Sequence, residues 1–399
     1  MERRATKRLA WMPAGVEPGQ HRRPFYTFLL KIASRCNLDC TYCYVYQSAD
    51  QSWRQRPRFM SPQVIQAAGE RIADHVRQHQ LECVDIVFHG GEPLLIGAEK
   101  FDLFAGTLRR LVPCSVNFGL QTNGTLLNEF WLNTLAEHRV RIGISLDGPQ
   151  SVNDRGRPYH SGKGSFSDVM QSVERTRSRE EWSRLLGGFL AVVDLQNSPD
   201  EVYDFFRSLG AESIDLILPD AHHDALPFRP PGSDGQIAYG RWLARFFDRW
   251  WEEQPDLDIR LLNEILVLML GGPSAHESIG AKSVDLVVIE TDGEIEPVDT
   301  LKVVGREATK TGLNVIHNSL DEALDQPAVL SRMSGYSSLC STCQECSHLA
   351  HCGGGYLPHR YSHRQGFQNP SVYCHDLRFL FDHMQQKVGQ ELRDLPRSY

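Results

Sequence analysis

From Phe25 to Leu218 the chain alternates strictly between short apolar or β-branched runs and longer amphipathic ones. Strand-like runs fall at 27–32, 84–88, 115–121, 140–146, 186–193 and 213–218. Helical stretches separate them near 62–76, 100–111, 129–137 and 165–175, with another after Ser198. Ser61-Pro62 opens the first helix, with serine as N-cap and proline at its first position. Val64, Ile65, Ala68, Ile72 and Val76 form its apolar stripe. Ser198-Pro199-Asp200-Glu201 reads as a capping box. Such alternation makes successive strands parallel and covers the sheet with helices. Six units fall short of the eight in a closed barrel, so the expected α/β fold is an open, partial (β/α)6 barrel. Reactive side chains then belong at the C-terminal strand ends.

Four motifs occupy those ends. After the first strand comes Cys36-Asn37-Leu38-Asp39-Cys40-Thr41-Tyr42-Cys43, a Cys-x3-Cys-x2-Cys run. Three thiolates leave one iron of a cubane [4Fe–4S] cluster without a protein ligand. An open coordination position is where chemistry takes place. A zinc knuckle would need a fourth Cys or His close by, and the residues up to Arg58 supply none. Gly90-Gly91-Glu92-Pro93 follows the second strand and Gln121-Thr122-Asn123-Gly124 ends the third. Ser145-Leu146-Asp147-Gly148-Pro149 ends the fourth, with Arg155 and Arg157 shortly after. Gly162-x-Gly164 lacks the Gly-Lys-Ser/Thr of a phosphate loop.

Over roughly 25–218 these ordered motifs resemble the radical S-adenosylmethionine (SAM) superfamily. The resemblance implies a [4Fe–4S] cluster on Cys36, Cys40 and Cys43, with SAM chelating the open iron. It implies that Gly90, Gly91 and Glu92 hold the SAM amino group and that Tyr42 lies against the adenine. Leu218, or Leu216, would pack near the same ring. Ser145 and Arg157 match positions that contact the ribose and carboxylate, with Arg155 competing for the second role. Asn123 either faces the cofactor or only forms a turn. In that family a reduced cluster gives SAM one electron, and the 5′-deoxyadenosyl radical so formed removes a hydrogen atom from substrate.

Beyond the barrel, runs at 285–290 and 294–299 flank Thr291-Asp292-Gly293, a hairpin with an Asp-Gly turn. It reads as the start of a second, irregular unit that carries the remaining clustered cysteines. Cys343, Cys346, Cys352 and Cys374 resemble the outer auxiliary [4Fe–4S] site of SPASM extensions, found on radical SAM enzymes that modify peptides. Four thiolates would close that site and suit it to electron transfer; structural zinc is the alternative. The two inner-cluster positions hold Val298 and Tyr356, so one auxiliary cluster is expected. Cys340 is left as a spare thiol, an alternate ligand or a buried residue. Cys83 and Cys114 are expected in the core. Asp299 matches the place of a proton-accepting aspartate in related maturases, with a structural carboxylate as the alternative.

The runs 353–361 and 366–374 resemble the FxsB-type branch of SPASM peptide maturases, as do 288–293 and 218–221. That branch implies crosslinking of a ribosomally made precursor peptide, with an electron donor such as flavodoxin or ferredoxin. The alternatives are formylglycine formation of the sulfatase-maturase type, thioether formation or epimerisation, and a non-catalytic iron–sulfur or zinc protein that binds peptides. His359, Arg360 and Tyr361 either belong to that branch's function or only pack the cluster loop.

The formal net charge of −8 argues against nucleic acid as the main partner. No apolar run reaches membrane-spanning length and no signal-peptide core is visible. Clustered cysteines in an enzyme of this size suit metal binding in a reducing cytoplasm. The expected organisation is a basic tail at 1–24, a barrel at 25–225, linker and bridging helices at 226–284, and a cluster domain at 285–399.

Overall fold

The computed structural model describes residues 23–232, 235–274, 276–280, 285–333 and 335–394. The expected basic tail lies almost wholly outside the described residues. Two compact units are built from interleaved stretches. Among the described residues, one takes 23–190 and 285–333; the other takes 191–280 and 335–394.

The first unit is a parallel sheet with helical crossovers. β1 (Thr27–Ala33), β2 (Cys83–Gly90), β3 (Ser115–Thr122), β4 (Val140–Ser145) and β5 (Leu186–Val192) follow one another in sheet order. The crossovers are α1 (Pro62–His79), α2 (Ala98–Leu111), α3 (Glu129–Glu137), α4 (Gln150–Gly156) and α5 (Phe166–Arg177). Ser61 caps α1 as its sequence demands, its hydroxyl accepting from the Val64 N–H at 3.2 Å. The stripe Val64, Ile65, Ala68, Ile72 and Val76 is buried. Each large aliphatic side chain in it contributes about 1.5–3 kcal/mol through burial.

The hairpin strands β8 (Leu286–Ile289) and β9 (Glu294–Glu296) belong to this same unit. Although the sequence suggests that they open the cysteine-bearing region, β8 pairs in parallel with β1, Thr27 opposite Leu286 and Leu30 opposite Ile289. Pairing of this kind depends on which strand edge is free, a tertiary property.

The sixth alternating strand, β6 (Ser213–Ile217), lies in the second unit, paired in parallel with the short β7 (Asp258–Ile259). That unit also holds α6 (Pro199–Leu209), α7 (Ala238–Glu253) and α8 (Arg260–Met269). A short α9 (Leu320–Leu324) returns to the first unit. The second unit ends in α10 (Ser341–Gln344) and the long α11 (Cys374–Asp394). α7 and α11 meet through Phe247 and His383, with Asp248 2.8 Å from His383 Nε2.

Two local expectations are corrected. Ser198 makes no side-chain capping bond. α6 therefore starts on Pro199 without the expected box. Cys83 is exposed and Cys114 half-buried, not core. Cys83 opens β2, and strand alternation turns it outward while Val84 points inward. Among the described residues no helix is long and apolar enough to cross a membrane.

Candidate functional site

The triad loop is clamped from both sides. On one side Gly91 N–H donates to Ala33 O at 2.8 Å and Glu92 N–H to Arg35 O at 2.9 Å. On the other, Asp39 N–H donates to Pro158 O at 2.8 Å and Thr41 N–H to Gly156 O at 2.9 Å. The double glycine is required here by the chain itself. A Cβ on Gly90 would lie 2.3 Å from Ala33 O, and one on Gly91 2.4 Å from Arg35 O. Burial pushes the Cys36 thiol up to about 12 and Cys40 up to about 11; Cys43 is raised as well. Three desolvated thiols brought close enough to repel one another when ionised suit a cation that draws them all to thiolates. The donor set therefore fits an iron–sulfur cluster.

In the same unit lie most of the other residues expected to hold SAM. Glu92 is fully buried. Its Oε1 accepts from Leu94 N–H at 2.9 Å and the Thr122 hydroxyl at 2.7 Å, and its Oε2 from Asn123 N–H at 2.8 Å. Burial raises it to about 7, against the pull of those three donors. Of the four acceptor directions of a carboxylate, one remains for a ligand ammonium. Asn123 does two things: its Nδ2 points at Cys36 Sγ, 3.7 Å away, while its Oδ1 holds the turn by accepting from Thr125 N–H at 3.0 Å. Ser145 ends β4 and accepts from Gln121 Nε2 at 2.9 Å.

Tyr42 donates to Asp147 Oδ2 at 2.5 Å and accepts from Arg157 Nη1 at 2.7 Å. Arg157 is buried, and its Nε has no hydrogen-bond partner among the described residues. Arg155, its competitor, is exposed on α4. A buried guanidinium with a spare donor is suited to a carboxylate. Leu218 is half-buried just beyond β6, in the second unit.

Asp299 opens a 3-10 turn after β9 and is 3 % exposed. Its Oδ2 accepts from the Tyr44 hydroxyl at 2.5 Å and forms a close ion pair with Lys31 of β1. Burial disfavours its ionisation, but Lys31, His89 and Lys302 outweigh that and hold it well below the ordinary carboxylate range. His89 sits opposite Lys31 in the β1–β2 register; burial first, then Lys31, lowers it to about 4. Beneath lies a buried charge network. Arg56 pairs with Glu296 at 2.6 Å and Glu290 at 3.3 Å, and Lys302 binds Glu290 at 2.8 Å and also Glu296. Lys302, Arg56 and Lys31 overcome the burial of Glu290 and keep it low, while Glu296, buried beside it, is pushed up. Paired in this way, the ions hold the turn carrying Asp299 without leaving a buried charge alone.

In the second unit Cys343, Cys346, Cys352 and Cys374 line one cavity of about 480 Å³, with His348 and Arg378. Burial drives Cys343 and Cys352 up to about 12 and raises Cys374. Four thiols around one cavity fit a closed centre in which every metal ligand is a thiolate. Cys340 does not line the cavity; its carbonyl accepts from the Cys343 N–H at 3.0 Å.

Sequence reading missed Lys31, Tyr44, Asp147 and Gln121 as site members. Lys31 did leave a signal, since a lysine inside the apolar run Thr27–Ala33 has to find a counter-charge. Tyr44, Asp147 and Gln121 left none, because their partners lie on distant segments.

Comparison with known proteins places these observations. Residues 30–189 match the family model "Radical SAM superfamily". The cysteine-type anaerobic sulfatase-maturating enzyme of Clostridium novyi is 26% identical over 376 residues, covering 89% of this chain and 94% of that protein. The structure of anSMEcpe with bound AdoMet and Kp18Cys peptide superposes with a TM-score of 0.76 at 22% identity, covering 92% of this chain and 99% of that one. Streptococcus suis SuiB bound to precursor peptide SuiA gives 0.59 at 15% identity, over 89% and 76%. The last two establish the shared fold.

Proposed function

We infer that this chain, an enzyme of the radical SAM superfamily, matures a ribosomally made peptide by removing two hydrogens and closing an intrapeptide crosslink. Its cofactors are a [4Fe–4S] cluster and SAM. When bound, they supply a 5′-deoxyadenosyl radical that takes a hydrogen atom from a side-chain carbon. Cys36, Cys40 and Cys43 hold the cluster. Glu92 offers its remaining acceptor to the SAM ammonium, and Arg157 turns its free Nε toward the carboxylate. Ser145 and Tyr42 take the ribose and adenine.

The observation that carries the reading is the buried, ionised Asp299, hydrogen-bonded to the residue that follows Cys43. A carbon radical that loses an electron becomes strongly acidic, so a weak base that stays deprotonated suffices. Asp299 accepts that proton, and Tyr44 and Lys31 fix its orientation. The Cys343, Cys346, Cys352 and Cys374 site takes the electron. With Val298 and Tyr356 in place of cysteines, this is one auxiliary cluster. The peptides bound to anSMEcpe and SuiB support a peptide substrate. A flavodoxin or ferredoxin would supply the first electron, and the cysteine groups suit the cytoplasm.

Formylglycine formation is the second reading, favoured by the sulfatase-maturating relative that matches nearly the full chain. Co-expression with a candidate short precursor peptide separates them. A crosslinked product loses two hydrogens, resists tandem fragmentation between the joined residues and carries no aldehyde. An aldehyde-reactive product would establish the second reading and overturn the first. An unchanged peptide mass would sink both.

A further inference from the structure

Arg360 is 6 % exposed, in the turn Pro358–Arg360 between Cys352 and Cys374. Its Nε and Nη1 are buried and have no hydrogen-bond partner, and no carboxylate pairs with it among the described residues. The fold makes room for this cation. Gly353, Gly354 and Gly355 all have positive φ, at 62°, 87° and 70°. A Cβ on Gly354 would sit 3.3 Å from Arg360 Nη1 and 2.4 Å from Leu339 Cδ2. The backbone around Arg360 is pinned as well, with Asn369 Nδ2 donating to its carbonyl at 2.9 Å and Val372 N–H to His359 O at 2.9 Å. A guanidinium stays charged in proteins, and a buried charge without a partner costs several kcal/mol. Its partner must therefore be an anion close by. Gly354, beside Arg360 Nη1, lines the same cavity as Cys343, Cys346, Cys352 and Cys374, so the guanidinium stands just behind the wall of that centre.

We propose that Arg360 is a positioning residue that serves as the built-in counter-cation of the auxiliary centre, holding its reduction potential high enough to accept the substrate's electron. This rests on the reading of Cys343, Cys346, Cys352 and Cys374 as iron–sulfur ligands. Four thiolates on an oxidised [4Fe–4S] core carry a net charge of about −2, and one-electron reduction makes it about −3. Arg360 stabilises the more negative form more strongly. The electron comes from the substrate carbon radical, and the accompanying proton goes to Asp299. Arg378, also on the cavity wall, is exposed and its field is screened by water.

The test uses the full chain with Cys36, Cys40 and Cys43 replaced by alanine, so that only the auxiliary centre carries iron. Iron content and an EPR-monitored redox titration are measured for this background and after adding Arg360→Gln or Arg360→Lys. The expected background holds about four iron atoms per chain. Arg360→Gln should retain them but shift the reduction equilibrium at least tenfold toward the oxidised form, which is about 59 mV lower for a one-electron couple. Arg360→Lys, which keeps the charge, should stay within half of that shift. Loss of iron in the Gln variant alone would also support the proposal. An unchanged potential in the Gln variant overturns it while leaving the cluster reading intact. So does an equal shift, or equal iron loss, in both variants, since packing rather than charge would then be responsible. A background that holds zinc or no metal overturns the cluster reading and the proposal together.

Discussion

Tyr44 and Asp299, 255 positions apart, meet through an O–H···O hydrogen bond of 2.5 Å. The bond ties the residue after the last triad cysteine to the turn beyond the β8–β9 hairpin. It places the candidate proton acceptor next to the loop proposed to hold the radical-generating cluster. Asp299→Asn should lower peptide product formation about 10²–10⁴-fold, while 5′-deoxyadenosine still appears when reduced enzyme meets SAM and peptide. Loss of both products together would mean that Asp299 serves the fold or SAM binding instead.

Lys31 is the main cation facing Asp299. Lys31→Met strands a buried carboxylate and should destabilise the chain by about 3–5 kcal/mol. Adding Asp299→Asn to that variant should restore part of the loss, because the stranded charge goes with it. Urea denaturation of the two single variants and the double variant measures this coupling. Simple additivity would count against the ion pair.

His75 gives the fold a pH dependence of known sign. Its Nε2 accepts from Phe25 N–H at 3.0 Å, so its proton sits on Nδ1, 3.2 Å from Asp321. Burial lowers its pKa from 6.5 to about 4. Between those values the unfolded chain binds the extra proton and the folded chain does not. Stability therefore rises with pH across this window and is lost as pH falls from about 6.5 to about 4, by on the order of 3 kcal/mol. His75→Gln keeps an acceptor for Phe25 and should flatten the change. Urea midpoints at pH 7 and pH 4.5 supply the comparison; an equally steep variant would assign the acid loss elsewhere.

Iron content reports on ligand sets independently of turnover. The reconstituted wild type should hold about eight iron atoms per chain, and Cys343→Ala about four. Cys340→Ala should keep about eight, since Cys340 does not line the cavity. A fall to about four in that variant would make Cys340 a ligand.

Gly91→Ala probes the clamp on the triad loop. The new Cβ would fall 2.4 Å from Arg35 O and 1.9 Å from Tyr46 Oη, and the backbone atom cannot swing aside. Overpacking of this sort costs about 1–3 kcal/mol. The expected result is loss of the triad's iron with the auxiliary iron retained, visible as half the wild-type content.

Local signals made part of this molecule legible. The six strands could be read because apolar runs and helical stripes repeat within a few residues. The triad was plain because its three thiols share one loop, and Ser61 because a cap acts over three residues. The Asp299 environment stayed hidden because its partners come from β1, from the residue after the triad and from the turn at Lys302. No sequence window contains them all. β8 pairing with β1 escaped for the same reason. Ser198 illustrates the opposite failure, a capping pattern plain in the sequence that makes no side-chain cap in the structure. Cys83 was misplaced because hydrophobic residue type was read without its strand parity.

Four peptide hydrogen bonds, from Gly91, Glu92, Asp39 and Thr41, grip the triad loop on both flanks. Main chain thus braces this loop on both flanks. Losing iron to oxygen would leave its walls standing, and repair would require only fresh iron and sulfide, without unfolding. Damage at a cluster held there should then be a reversible inactivation, setting the protein's lifetime apart from that of its most fragile component.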